Sequence, residues 1–155
     1  MIRRAETRDT SRIMDLLSQV LTVHHKGRPD LFKGGVTKYT ETELHALLRD
    51  PLRPIFVWTD EEDTVQGYAF CIVQEHPHDN ILTDIRTLYI DDLCVDEKVR
   101  GRHIGKSLYE YVLDFAKAGG FYNVTLNVWS CNPSALRFYE SLGLTAQKIG
   151  MEKIL

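Results

Sequence analysis

The residue types best suited to bind a ligand lie between Arg100 and Lys106, where a helical pattern begins shortly after an apolar segment. These residues read Arg-Gly-Arg-His-Ile-Gly-Lys, so the turn contains two glycines and three cations. The first backbone N–H groups of a helix have no intrahelical acceptor, and with the positive end of the helix dipole they favour an anion such as phosphate. Gly101 and Gly105 lack a Cβ, which lets a bulky ligand approach the backbone. The turn is therefore either a phosphate site or an ordinary strand–helix connection with solvated cations.

The spacing of these glycines argues against a nucleoside triphosphatase. Gly101 to Ser107 is similar to a phosphate-binding P-loop, but only three residues separate its glycines. A P-loop needs four, because the loop has to wrap around the phosphate.

Hydrophobic periodicity predicts the elements that must position this turn. Period-two patterns and β-branched residues indicate strands over residues 2–5, 55–58, 65–74, 85–95 and 122–128, and we expect residues 145–155 to form a closing strand or pair. Helices are indicated after a cap at Thr7 or Asp9, over residues 40–49, from Ile104 to Gly119, and after Asn132. Residues 24–33 are either an ordinary helix end with a surface loop or a loop over a substrate entrance. The strand–helix–strand unit over residues 85–128 predicts a parallel strand pair.

Length and composition favour one ordinary globular domain over residues 1–155. A net charge of −3 argues against general binding to nucleic acid or to membrane surfaces, and no apolar run is long enough to span a bilayer. The three cysteines include no CxxC pair, so neither a zinc site nor a disulfide framework is indicated. We expect a reducing cytoplasm and no bound metal.

Two motifs together resemble the GCN5-related N-acetyltransferase (GNAT) family. The first family motif is Gln/Arg-x-x-Gly-x-Gly/Ala after a strand that ends in valine; Arg100 and Gly105 match it, and His103 replaces the usual glycine. The second motif is Asn-x-x-Ala-x-x-Phe/Tyr-Tyr-x-x-x-Gly-Phe. It is matched at Asn132, Ala135, Phe138, Tyr139 and Gly143, with Leu144 in place of the final phenylalanine.

The resemblance implies a mixed α/β (α+β) fold, in which a mostly antiparallel central sheet has a parallel strand pair splayed at the cofactor site and about four flanking helices. It also implies acetyl-CoA as the cosubstrate. The cofactor-binding residues that it implies are Leu93, Cys94, Val95, Arg100, Gly101, Arg102, His103, Ile104, Gly105, Lys106, Asn132, Phe138 and Tyr139. Tyr139 is expected beside the sulfur, where its hydroxyl can protonate the leaving thiolate, unless it only packs there. A backbone N–H near Leu93 to Val95 is expected to stabilise the oxyanion.

The central strand reads Tyr89-Ile-Asp91-Asp92, which is similar to Tyr-Leu-Glu-Asp in the diamine (spermidine/spermine) acetyltransferase branch. Neighbours on a strand face opposite sides, so only one aspartate is expected to meet the amine. The resemblance assigns that position to Asp91, as a base acting through water or as a charge anchor. A solvated or backbone-bonded pair is the alternative.

We therefore expect an enzyme that moves an acetyl group to a primary amine, such as a polyamine-like cation. A protein N-terminus is the alternative acceptor, and a non-catalytic acyl-CoA-binding module is the alternative function. A homodimer is expected from the resemblance alone.

Overall fold

The computed structural model describes residues 1–155 and contains a five-stranded sheet with strands in sequence order. The strands are β1 (Ile2–Arg4), β2 (Ile55–Thr59), β3 (Val65–Gln74), β4 (Thr87–Val95) and β5 (Asn123–Leu126). Neighbours from β1 to β4 pair antiparallel, whereas β4 and β5 pair parallel. The mixed, mostly antiparallel sheet with one parallel pair confirms the predicted fold class.

Four α-helices flank the sheet: α1 (Thr10–Gly27), α2 (Glu41–Leu47), α3 (Ile104–Ala118) and α4 (Pro133–Ser141). Local sequence explains their ends. The Thr40 side chain accepts from the Glu43 N–H in a capping box before α2. The Asn132 side chain accepts from Ala135 before α4, with Pro133 in its first turn. Gly120, in the left-handed conformation, follows α3.

The core has one apolar cluster on each face of the sheet. On one face, α1 and α2 bury Leu16, Leu17 and Leu44 against strand residues that include Tyr68 and Cys94. On the other face, α3 buries residues such as Leu108 and Val112 against a set that includes Leu88 and Ile90. The site described below lies where β4 passes between these two clusters.

Two irregularities of β4 open the sheet at its C-terminal end. Phe70 pairs with Asp92 and Cys71 with Ile90, so Asp91 has no partner on β3 and forms a β-bulge. The parallel pairing with β5 ends at Ile90, which lies opposite Leu126. Residues 91–95 therefore have an unpaired edge on the β5 side, and this is the splayed pair that the resemblance implied.

The closing strand predicted for residues 145–155 is wrong. These residues have no regular secondary structure and make no ladder hydrogen bonds. Ile149, Met151 and Ile154 are largely exposed. Gly150 lies between Ile149 and Met151, and glycine has a low propensity for strands. The segment is tied instead by Glu152, which forms an ion pair with Arg28 after α1. No helix is long and apolar enough to cross a membrane.

Candidate active site

The turn before α3 presents a row of free backbone donors. None of the N–H groups from Arg100 to Lys106 donates to an acceptor within the protein, and the next one, of Ser107, bonds to the His103 carbonyl. The Arg100 guanidinium lies 3.5 Å from the Val95 carbonyl, at the strand end. This arrangement fits a phosphate or diphosphate group, because several donors and the helix dipole converge on one place.

The backbone conformation of this turn favours glycine at two positions, those of Gly101 and His103. Gly101 has a φ of +83° and His103 a φ of +60°, both in the left-handed region. No atom lies within 4 Å of the place where a Cβ on Gly101 would be, so the conformation rather than crowding favours glycine there. His103 adopts the same region with a side chain, which costs about 1 kcal/mol.

Gly105 lies where the two motifs pack against each other. A Cβ at this position would lie 3.3 Å from the Phe138 ring and 3.5 Å from the Val95 side chain. The absence of a side chain therefore lets α3 approach α4 and the end of β4 closely. Because of this approach, the donor row, the open strand edge and the second motif lie in one cleft.

The cleft brings together every predicted site residue except Arg102. Arg102 is exposed beside the turn. The side chain of Ile104 is buried in the α3 core, and Cys94 is buried with its thiol directed to the Leu16 carbonyl. These two residues can therefore offer a ligand little beyond their backbone groups.

Tyr139 faces the open end of β4 from α4. Its ring contacts that of Phe138 edge to face, with centroids 5.1 Å apart, and its hydroxyl makes no hydrogen bond within the protein. Burial raises the pKa of the Tyr139 hydroxyl, and the negative charge of Asp92 raises it further. The hydroxyl therefore stays protonated near neutral pH and is a free donor in the cleft.

Asp91 and Asp92 lie on the same side of the sheet. Asp91 accepts from the Tyr39 hydroxyl, and Asp92 accepts from the Tyr68 hydroxyl at 2.8 Å. Both tyrosines belong to the cluster packed against α1 and α2. The expectation that strand neighbours face opposite sides is wrong here, because the bulge interrupts the alternation.

The surroundings of the two carboxylates differ. Asp91 forms an ion pair with Lys38 at 2.9 Å. Asp92 has no ion pair, and although part of the residue reaches the cleft surface, protein atoms surround the carboxylate closely. Burial raises the pKa of Asp92 to about 6, with the Tyr68 hydrogen bond opposing the rise.

Aromatic side chains from two loops form a wall of the cleft that also contains the donor row. Phe32 lies between His24 and Trp129, with ring centroids 5.0 Å from each. Burial lowers the pKa of His24, and the nearby Lys38 lowers it further. The imidazole is therefore neutral at physiological pH, and the wall is largely apolar.

Sequence patterns did not identify several residues of the cleft. Lys38, Tyr39 and Trp129 lie in loops, and nothing in the local sequence connects the first two with an aspartate more than fifty positions away. Tyr68 could have been found from the hairpin register, because its pairing with Cys94 puts it close to Asp92. No group of three or more His, Cys, Asp or Glu side chains is arranged to hold a metal ion.

Comparison with known proteins agrees with this geometry. The sequence model of the acetyltransferase (GNAT) family matches residues 20–144, which is most of the chain. The chain belongs to the GNAT family. Relatives of solved structure include the BH1408 protein from Bacillus halodurans, studied as a mutant. The match covers 100% of this chain and 99% of the BH1408 chain, at 31% identity and a TM-score of 0.95.

Two further relatives have named activities. A glucosamine 6-phosphate N-acetyltransferase from Arabidopsis thaliana is 35% identical over 65 residues, which is 42% of each protein, so the match spans less than half of that relative. An aminoglycoside acetyltransferase from an uncultured soil metagenomic sample, solved with sisomicin, has a TM-score of 0.75 at 22% identity. It covers 100% of this GNAT chain and 95% of its own. The diamine acetyltransferase branch is not among these findings, so the branch stays a prediction.

Proposed function

We propose that this protein is an acetyl-CoA-dependent N-acetyltransferase that acts on a primary amine. The observation that carries the proposal is the row of unpaired N–H groups from Arg100 to Lys106 beside the open edge of β4. The two features fit the two ends of one extended ligand, since the row suits a diphosphate and the strand edge can pair with an amide-containing arm. Acetyl-CoA supplies the acetyl group as a thioester.

The side chains around the strand end can then perform direct transfer. A backbone N–H between Leu93 and Val95 stabilises the negative charge that develops on the thioester oxygen. Tyr139 donates a proton to the leaving sulfur. The two aspartates face the place where the amine enters. On the basis of the family resemblance, Asp91 is the candidate for the residue that binds or deprotonates the amine.

The charge of the cleft constrains the acceptor. Lys38 neutralises Asp91, so the pair of aspartates carries about one net negative charge rather than two. A small acceptor with one ammonium group fits this balance better than a long polycation, although a polyamine-like cation remains the acceptor suggested by the strand sequence. A protein N-terminus is the alternative, because the cleft is open along its length.

An amino sugar is a second candidate acceptor. The indole ring of Trp129, which packs edge to face with Phe32 and is 46% exposed, offers a flat apolar surface for the C–H face of a sugar ring. The similarity to proteins named for glucosamine 6-phosphate and aminoglycoside acetylation favours the same class.

The deciding experiment measures free thiol released from acetyl-CoA with a panel of amines. The panel contains spermidine, a monoamine, glucosamine, glucosamine 6-phosphate and a peptide with a free N-terminus. An enzyme releases thiol with at least one of them, whereas a non-catalytic acyl-CoA-binding module binds CoA by calorimetry but releases none. Absence of calorimetric heat with either CoA or acetyl-CoA would contradict both readings.

A further inference from the structure

The two adjacent aspartates of β4 have different hydrogen-bond environments although they face one cleft. Both carboxylate oxygens of Asp91 are occupied, Oδ1 by Lys38 Nζ at 2.9 Å and Oδ2 by the Tyr39 hydroxyl. Lys38 Nζ also donates to the Asp91 backbone carbonyl at 3.1 Å. Only 14% of the Asp91 side chain is exposed. Asp91 therefore has little capacity left to accept a proton from a ligand.

These contacts hold the segment between α1 and α2, residues 28–40, which we call the α1–α2 loop. Tyr39 stacks on Phe70 of β3 with ring centroids 5.6 Å apart, so the end of the loop is fixed to the sheet. Earlier in the loop, Phe32 packs against Trp129. The loop thus spans the cleft between an aromatic contact and the Asp91 contacts, and residues including Arg28, Leu31 and Phe32 line the cleft wall.

The Asp92 carboxylate is closely surrounded by protein but has fewer hydrogen-bond partners than that of Asp91. Its Oδ2 accepts a hydrogen bond from Tyr68 and no side chain donates to its Oδ1, although the Leu93 backbone N–H also acts on the carboxyl and lowers its pKa. That oxygen is not sealed from solvent, because no buried side-chain polar atom lacks a partner. The titratable groups that face Asp92 come from β3, β4, α4 and the α1–α2 loop: Tyr68, Tyr89, Asp91, Cys94, Tyr139, Lys38 and Tyr39.

We infer that the two aspartates have separate functions: Asp91 is a positioning residue that fixes the α1–α2 loop over the cleft, and Asp92 takes the proton from the acceptor amine. The inference rests on the proposed N-acetyltransferase function, and it deepens that function by reassigning the carboxylate that the family resemblance suggested. The elevated proton affinity of Asp92 supports it, because a carboxylate that titrates closer to neutrality is a better base.

Asp92 and Tyr139 together account for every proton that moves in the transfer. The amine nitrogen forms a C–N bond with the thioester carbonyl carbon, and the C–S bond breaks. The amine proton passes to the Asp92 carboxylate, and the Tyr139 hydroxyl gives its proton to the departing sulfur. The charge of Asp92 acts on the Tyr139 hydroxyl, and the proton on Asp92 can return to the Tyr139 phenolate through water. Both side chains then regain their starting states.

Hydrogen–deuterium exchange of the ligand-free protein tests the role of Asp91. Asp91→Asn removes the ion pair at constant size, and Tyr39→Phe removes one hydrogen bond but keeps the ring on Phe70. We expect each to speed amide exchange within residues 28–40 by about tenfold, because each removes a contact between Asp91 and the same loop. Asp92→Asn is the matched control and should leave that exchange unchanged.

Steady-state kinetics with an accepted amine test the role of Asp92. Asp92→Asn is expected to lower kcat about 100-fold. It should also remove the acidic limb of the pH profile, which is the fall in kcat that the wild-type protein shows below about pH 6. Ionisation of the amine itself affects the wild-type and variant proteins equally. Asp91→Asn and Tyr39→Phe should raise KM about tenfold, change kcat little and keep the acidic limb.

Two results would overturn the assignment. Loss of the acidic limb in Asp91→Asn but not in Asp92→Asn would make Asp91 the base, and unchanged loop exchange in both Asp91→Asn and Tyr39→Phe would exclude the positioning role. Lack of turnover by the wild-type protein with every amine would instead refute the proposed enzyme and the role of Asp92 with it. The exchange result for Asp91 would stand on its own.

Discussion

Replacing Asp92 with asparagine should make the protein more stable at neutral pH. The pKa of this carboxyl rises from its ordinary 3.8 to about 6 in the folded protein, chiefly because burial disfavours the ionised form. The folded state then binds more protons than the unfolded state between these two values. The stability associated with neutral Asp92 is therefore fully present below about pH 3.8 and is lost as the pH rises through about 6.

The size of the effect follows from the same pKa. The rise from 3.8 to about 6 corresponds to about 3 kcal/mol of unfolding free energy above the higher value. Asparagine has nearly the same shape, carries no charge, and its amide oxygen can still accept from Tyr68. We therefore expect Asp92→Asn to be more stable than the wild type by about 3 kcal/mol at pH 8, and by only about 0.6 kcal/mol at pH 4.

Urea unfolding of the ligand-free proteins, followed by tryptophan fluorescence at several pH values, measures this difference. Asp91→Asn is the matched control: it removes a carboxylate one position away but breaks the Lys38 ion pair, so it should lower stability by about 0–1 kcal/mol. A gain for Asp92→Asn that is the same at pH 4 and pH 8 would refute the burial argument, and so would a loss at pH 8.

Three further substitutions test other parts of the structure. Tyr139→Phe should slow thiol release about 100-fold and leave the calorimetric Kd for CoA within about twofold, because only the proton donor is removed; equal rates would exclude Tyr139 from proton transfer. His103→Gly should raise the unfolding free energy by about 1 kcal/mol by relieving its left-handed conformation, and His78→Gly, at a φ of +59° outside the predicted site residues, should give a similar gain; a loss in both would contradict the strain argument. Leu108→Ala should cost about 3–4 kcal/mol because the side chain is fully buried under the sheet, whereas Leu52→Ala, 57% exposed, should cost less than about 0.5 kcal/mol in the same urea assay.

Most elements could be predicted from local sequence, since their signals are local. Asn132 caps α4 through its own side chain, and the glycines after α3 end that helix because of their backbone freedom. The donor row before α3 follows from the chemistry of any helix start. These features depend on residues within a few positions of one another.

The arrangement of the aspartates could not be predicted in the same way. The bulge at Asp91 is a property of the β3–β4 pairing, and no residue type near it marks an extra position. The partners Lys38 and Tyr39 come from a loop of irregular structure, whose path is fixed by packing on Phe70 and Trp129. The error at residues 145–155 has a related cause, because a strand forms only when a neighbour accepts its hydrogen bonds.

The bulge has a consequence for the whole second half of β4. Leu88 and Ile90 pack towards α3, and with uninterrupted alternation Cys94 would share their side; instead Cys94 packs against α1 and Leu93 towards α3. The same sequence paired without the bulge would be out of phase from Asp92 onwards, with the thiol and the leucine exchanging faces and Asp96 turned away from its ion pair with Arg12 on α1. The bulge is therefore as much a determinant of the chemistry as the identity of the side chains that the strand carries.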